Sequence, residues 1–430
     1  MRRELTSLTL CLLLTTVPAK AVTIDWDASL RLRSELKNDL NLSEARQNYS
    51  LLRTRIGADF TFAPQWSLTT ELQDSRVFGV EANTIPNVND GAIDQPFADD
   101  LDVHRFSLNY SSNKLAIKLG RQKLNLGDKR LVASLEWVNT ARVHDGIRLD
   151  YKTDNREINI FATELVSIDP GALNDGADTG NRYFDSQFNG VFITQRNIAE
   201  LDLLQAWWFQ RRNSNFADDV HTLGFRLQEQ FSSWTVEAQA SIQTGNFDGE
   251  DHQAAMLQAS IARQIGKGVA SASVAWASGD SDPDDGEHQT FDNLYPLNHA
   301  YYGDIDLISL QNLRTIELNY RRSLFNEKLK FRAALHGFWL DDINDVWYEA
   351  GLNPVAGLLI SPDRIDISER FLGSELDLSM QYAVKIRGLS ETNLLVGYSY
   401  FDAGNRVLAD PQNGLLSDTD FVYLQLTLKL

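Results

Sequence analysis

The chain has a single cysteine, Cys11, so no internal disulfide is possible and no thiol is available beyond residue 21. After residue 21 no apolar run approaches the roughly 20 residues that a membrane helix needs. Basic residues are in deficit as well: 40 Lys and Arg stand against 59 Asp and Glu, a formal charge of −19. A phosphate backbone asks for a basic footprint, so nucleic acid is disfavoured as a partner. The seven histidines (His104, His144, His221, His252, His288, His299 and His336) never form an HExxH pair. A GxSxG elbow, a zinc spacing and a phosphate-cradling glycine loop are all missing. No cofactor is expected.

No metal is expected either. The acidic run Ser278–Glu287 carries five acids in ten residues and invites a calcium reading. Counted from Asp280, however, position six is Asp285 and position twelve is Phe291, where an EF-hand requires glycine and glutamate. A solvated acidic loop is the expectation.

What is present begins with a secretory pattern. Arg2 and Arg3 precede an apolar run, Leu5 to Val17, and Ala19-Lys20-Ala21 reads as a cleavage site. Residues 1–21 are thus expected to be a signal peptide and 22–430 a single domain. Removing three basic residues and one acid moves the formal charge from −19 to −21.

From Ile24 onward the sequence alternates with period two. Ile24, Trp26, Ala28, Leu30 and Leu32 interleave with Asp25, Asp27, Ser29, Arg31 and Arg33. Leu52, Ile56, Ala58 and Phe60 do so with Arg53, Arg55 and Asp59, and Ile147, Leu149 and Tyr151 with Arg148 and Asp150. One face is apolar and the other charged, as if each strand met two solvents. Short turns near 63–65, 111–113, 153–155, 197–199, 230–233, 264–267, 323–327 and 385–392 alternate with long links. The links fall near 36–48, 77–101, 121–144, 165–188, 211–218, 245–252, 278–311, 341–370 and 402–419. Eight turns and nine links separate about eighteen strands, the rhythm of a transmembrane antiparallel barrel with short periplasmic turns and long outer loops. Trp26, Trp66, Trp207, Trp208, Trp234, Trp276 and Trp339 sit toward strand ends, where interfacial aromatic girdles form.

Parity assigns twelve basic residues to the polar face: Arg31, Arg33, Arg53, Arg55, Arg105, Lys114, Lys118, Arg148, Arg226, Arg321, Arg332 and Lys429. Eleven acids share it, Glu237 and Asp377 among them. That near balance places the acid excess in the links. Such a face must be hydrated or paired, because burying lone charges costs several kcal/mol per ion, and a barrel of this size leaves an aqueous lumen. Link 121–144 departs from the acidic bias of its neighbours, with Arg121, Lys123, Lys129, Arg130 and Arg142 against Asp128 and Glu136. Part of it is expected to fold inward, narrow the lumen and supply cationic contacts beside Arg148 and Arg226.

Several segments resemble the alginate export family of bacterial outer-membrane barrels. They include Gly120-Arg121-Gln122, Gly127-Asp128, Trp137-Val138-Asn139-Thr140 and Asp145-Gly146-Ile147-Arg148-Leu149. Others are Leu72–Val77, His221–Leu227, Glu237 with Gln243-Thr244-Gly245, Thr290–His299, Tyr302-Gly303-Asp304, Gly373–Leu378 and Gly397–Phe401. The resemblance implies a monomeric eighteen-strand barrel that passes an anionic uronate polymer outward through a basic, narrowed lumen. On matching motifs, Arg148 and Arg226 carry over as luminal cations, and Arg121 and Arg142 as cations in or beside the loop. A substrate path is therefore expected along Arg148, Arg226, Arg121, Arg130, Arg142, Arg53, Arg55, Arg105, Arg321, Arg332, Glu237 and Asp377. Its partners would be outer-membrane lipid and an anionic polysaccharide or oligosaccharide. The rivals are a porin for small polar solutes and, from another class, a barrel enzyme with a Ser–His site.

Overall fold

A computed structural model of the chain describes residues 22–38, 46–79, 97–168, 174, 182–183, 186–198, 200–354, 369–404 and 418–430. The expected signal peptide, 1–21, lies outside them. β1 (Thr23–Asn38) and β2 (Arg46–Ala63) are followed by β3 (Trp66–Phe78), β4 (Asp99–Ser111), β5 (Leu115–Arg121) and β6 (His144–Lys152). Next come β7 (Arg156–Leu165), β8 (Gln187–Ile198), β9 (Leu201–Asn213) and β10 (Asp218–Phe231). β11 (Trp234–Phe247), β12 (Glu250–Ile265) and β13 (Gly268–Ala277) lead to a two-residue strand, β14 (Glu287–His288). β15 (Leu313–Leu324), β16 (Leu329–Leu340), β17 (Phe371–Ala383), β18 (Glu391–Ala403) and β19 (Thr419–Lys429) complete the order.

Each long strand pairs antiparallel with its sequence neighbour, and β1 pairs with both β2 and β19. The eighteen long strands thus form a closed antiparallel barrel with no free edge, which satisfies the backbone internally. β14 stands apart: it pairs parallel with β12 through Asp251–Glu287 and His252–His288. Turn chemistry corrects two of the expected long links. The β11–β12 connection is the pair Asp248-Gly249, with φ of 56° and 83°. Two consecutive positive φ values make a type I′ hairpin, for which Asp-Gly is a preferred pair. The β9–β10 link is likewise only 214–217.

The outward face is apolar and exposed. Ile56, Phe106, Leu119, Leu223, Ile242, Leu257 and Leu318 are all among the exposed large side chains. On a soluble protein so continuous a surface would invite association; around a closed barrel it is the surface that meets lipid. Trp26 and Trp66 stand on it near the short-turn end, and Trp66 packs 5.1 Å from Tyr110. At the opposite end Trp276 donates from Nε1 to Asp341 (2.7 Å). Trp207 does not join them. Adjacent residues of a strand face opposite ways, and with Trp208 outward Trp207 is buried inside, stacked beside Phe192 and Phe209. Its ring lies over Gly224, where a Cβ would stand 2.5 Å away.

The lumen is filled rather than open. Residues 122–143, between β5 and β6, and 278–312, between β13 and β15, turn inward and meet at its centre. Ala133 N donates to Tyr295 O (2.8 Å) and Leu297 N to Lys129 O (3.1 Å), while Val132 and Tyr295 form a parallel bridge. Leu124, Leu126, Leu131 and Val132 join Phe188, Phe192, Trp207 and Phe209 in one buried cluster. The inner wall of β7–β9 is therefore aromatic, with Phe161, Phe188, Phe192, Trp207 and Phe209, where the alternating pattern implied a polar surface.

Candidate functional site

The plug and the wall it leans on form the site. On β1 and β2 period-two parity turns Arg31, Arg33, Arg53 and Arg55 inward, and the register sets Arg31 directly opposite Arg53. So many guanidinium groups on two neighbouring strands repel unless something answers them. The inward loop does so, mostly with backbone oxygens. Arg31 donates from Nη1 to the carbonyls of Glu136 (2.7 Å) and Trp137 (3.0 Å), and from Nη2 to Val138 O (2.9 Å) and Asn139 Oδ1 (3.2 Å). Arg53 reaches the Glu136 and Val138 carbonyls, and Arg33 donates to Trp137 O (2.8 Å). The Glu136 carboxylate lies 2.8 Å from Arg55, 3.2 Å from Arg53 and 2.7 Å from Lys123 Nζ. Burial raises its pKa, but Arg55, Arg53 and Lys123 outweigh that and hold it well below the usual carboxylate range.

Trp137 is clamped. The Arg33 guanidinium sits 3.9 Å over its ring and His299 stacks at 3.6 Å, while its Nε1 donates to Asp306 (2.9 Å). His299 also bonds Asp306 (3.1 Å), so the two loops share one polar joint. Further along, Arg130 donates to the Tyr302 hydroxyl (2.6 Å) and pairs with Asp128 (3.3 Å). Arg142 donates to Pro296 O (3.1 Å). Loop 278–312 is fixed to the wall by Arg332–Asp304 (2.8 Å) and by Ile305 N, which donates to Glu375 (2.9 Å). Behind it Asp377 lies 3.1 Å from His336.

The residues expected to share a path are thus divided. Arg53 and Arg55 are brought together at the plug, and Arg332 lies 3.7 Å from Asp377. Arg226 is paired with Glu237 and donates from Nη1 to Gln205 Oε1 (2.9 Å). Arg148 faces the lumen from β6, bonded to Asp150 (2.6 Å), and Arg105 spans Glu71 (2.7 Å) and Asp27 (3.2 Å). Arg321 is exposed on the luminal parity at the short-turn end of β15. Arg130 and Arg142 are buried between the loops and hold them together, and Asp128, the partner of Arg130, lines a small cavity with Arg226. Arg121 departs from the expectation altogether. It registers with Phe106 and shares the outward parity of Leu119, so it turns away from the lumen and pairs with Asp145 (2.9 Å).

Beside the plug is a cavity of about 290 Å³ lined by Arg31, Asn125, Lys129, Ser134, Trp137, His299, Leu395 and Gln425, among others. Of these, sequence reasoning singled out only Arg31 and Lys129 by charge. The Trp137–Asn139 motif marked the rest of the joint, but nothing in it disclosed that backbone carbonyls would carry the contact. Among the described residues no group of three or more His, Cys, Asp or Glu is placed to hold a metal ion.

The model of the alginate export family matches residues 22–414. No curated protein matches the chain by sequence. Among solved structures the chain is similar to OccAB2 of Acinetobacter baumannii, at 12% identity over 94% of this chain and 98% of that one, with a TM-score of 0.65. It is similar to Pseudomonas aeruginosa OccD3 (OpdP), at 8% identity, 94% and 91% coverage and a TM-score of 0.64. P. aeruginosa OpdK, solved with vanillate, gives 12%, 94% and 98%, and 0.62. At such identities the likeness is one of fold.

Proposed function

The chain belongs to the alginate export family, and we propose that it is an outer-membrane channel for an anionic sugar chain or its oligomers, of the uronate class. One observation carries the reading: in a chain of formal charge −19, five cations (Arg31, Arg33, Arg53, Arg55 and Lys123) converge on residues 136–138 of the inward loop. Guanidinium forks match carboxylates in a way that a general polar lining does not. Asn125, Ser134 and Gln425 around the adjoining cavity offer partners for ring hydroxyls. Arg105, Arg148, Arg226, Arg321 and Arg332 would extend the cationic path from the short-turn side, with Glu237 and Asp377 holding two of them in place. The apolar outer face would sit in outer-membrane lipid.

A second reading is a channel for small carboxylate solutes. A cavity of about 290 Å³ lies at the lower end of small-molecule sites, and the fold neighbour OpdK was solved with vanillate. Planar-bilayer recordings separate the two. With polyuronate added to either side, the barrel should prefer anions at low salt, lose that preference as salt screens the lumen, and be blocked by the polymer. Arg148→Gln with Arg226→Gln and Arg321→Gln should lower both preference and block. Unchanged selectivity and block would reduce these arginines to structural ion pairs. Passage of monomeric acids with no effect of polymer would favour the small-solute reading.

A further inference from the structure

The cations of the Glu136 cluster belong to the wall and the base of the loop, and Arg31 and Arg55 are each only 6% exposed. The anion that answers them reaches in from the loop: its side chain is 41% exposed, while its carboxylate Oε1 is buried 2.7 Å from Lys123 Nζ. One carboxylate also serves three cations at once: Arg53, Arg55 and Lys123. The nearest other acid, Glu71, is committed to Arg105 at 2.7 and 3.0 Å and stands 3.8 Å from Lys123. Arg55 Nη2 and Arg31 Nε are buried with no partner among the described residues, and Glu136 Oε1, buried as well, has only Lys123 beside it. Three cations around one glutamate leave the cluster with an excess of donors.

The segment that delivers Glu136 also starts from a strained residue: Leu135 (φ 44°) occupies the left-handed region, which non-glycine residues adopt only at a cost.

We propose that Arg53, Arg55 and Lys123, with Arg31 beside them, form a carboxylate-binding cradle, and that Glu136 fills it in the resting barrel as an internal stand-in for the cargo's carboxylate. An arriving anion exchanges with Glu136, and the loop segment 136–138 swings off the wall as the ligand takes its place, with Asn139, bonded to the Leu52, Arg76 and Phe97 carbonyls, as its hinge. The site is thereby both a ligand subsite and the latch of the plug. The inference rests on the reading of a carboxylate-bearing cargo, and its test is arranged so that the two can fail separately.

The test uses the full barrel in planar bilayers, with glucuronate, acetate and glucose as probes. Glu136→Gln keeps the size of the side chain and removes its charge. The concentration of glucuronate giving half-maximal block should fall about tenfold, the size of one lost charge-assisted contact, and anion preference should rise. Glu136→Asp, which keeps the charge, should stay near wild type. If glucuronate and acetate bind Glu136→Gln no more tightly than wild type, or glucose gains equally, the cradle is refuted. If acetate gains as much as glucuronate, the cradle stands and the sugar-acid cargo does not. Heat-modifiable mobility on gels reports assembly. Should Glu136→Gln fail to assemble, Lys123→Gln carries the test: glucuronate binding must weaken, and unchanged binding overturns the proposal.

Discussion

Replacing Arg31 by methionine should loosen the plug without touching its apolar half. Arg31 makes four contacts to residues 136–139, at 2.7, 3.0, 2.9 and 3.2 Å. Hydrogen bonds to a charged group contribute roughly 1.5–3 kcal/mol each, but the whole sum is not lost. The Glu136 and Val138 carbonyls keep Arg53, and the Trp137 carbonyl keeps Arg33. Removing one guanidinium also relieves its repulsion with Arg53, which lies directly opposite in register. A net weakening of about 2 kcal/mol remains, equivalent to about a 30-fold rise in the population with segment 136–138 undocked. Single-channel recordings should show this as a matching rise in the time spent at high conductance, whereas Arg148→Gln should leave gating unchanged. If Arg31→Met gates like wild type, the carbonyl contacts do not hold the loop and the wall cations have another purpose.

Two further outcomes are expected. Cysteines introduced at Ser112 and Asn155, in the short turns, should resist an impermeant thiol reagent in intact cells, whereas cysteines at Asp248 and Ser281 should react; the reverse pattern would invert the barrel. The second concerns Asp345, in the outer link 341–354, whose carboxyl is pushed up to about 6 by burial despite bonds from Thr290, Asp280 N, Val346 N and Tyr348. Free of the fold it would titrate near 4, so the docked link holds a proton that the loose link releases. Docking is then strongest below about pH 4 and weakens by at most about 3 kcal/mol as pH rises through 6. Hydrogen exchange in 341–354, corrected for intrinsic rate, should quicken from pH 4.5 to 7 in the wild type and not in Asp345→Asn. Equal protection at both pH values in the wild type would refute the linkage.

The barrel was legible because lipid and water leave a period-two signature that few other environments impose. Ile147, Leu149 and Tyr151 against Arg148 and Asp150 announced both faces of β6 at once. The signature failed where a strand meets apolar groups on both sides. Along β8 and β9, Phe188, Phe192, Trp207 and Phe209 face the plug while Ile193 and Trp208 face outward, so alternation disappears. Turn chemistry at Asp248-Gly249 was present in the sequence and outweighed by the expectation of a long link. At the site, parity found Arg31, Arg53 and Arg55, and charge bias marked the loop that comes inward. What parity could not supply was the partner. Carbonyl oxygens carry no residue identity, so the contacts of Glu136, Trp137 and Val138 with the arginines exist only in the folded path of the loop. Arg121 shows the converse error: a motif match placed it near the lumen, while the register of β4 with β5 turns it outward.

The two halves of the inward loop are bound by different physics, and that difference decides how the lumen can open. Leu124, Leu126, Leu131 and Val132 pack into the aromatic wall of β7–β9, each burying a side chain worth about 1.5–3 kcal/mol. An anionic ligand has nothing to offer in exchange for those contacts. Residues 136–138 instead meet the β1–β2 wall through carbonyl oxygens and one carboxylate, which a carboxylate-bearing ligand can replace group for group. Asn139 and Thr140 are held by neutral bonds, from Asn139 Nδ2 to the carbonyls of Leu52, Arg76 and Phe97 and from Gln73 to Thr140 O. Leu135, with φ of 44°, lies at the boundary between the halves. Opening by wholesale expulsion of the loop would expose the apolar cluster to water and forfeit its packing. Opening by release of 136–138 alone exchanges one set of charge-assisted contacts for another and leaves that cluster and the Asn139 anchor intact. The economical movement is therefore local, on the cationic side of the lumen, with the apolar half of the plug as its fixed anchor.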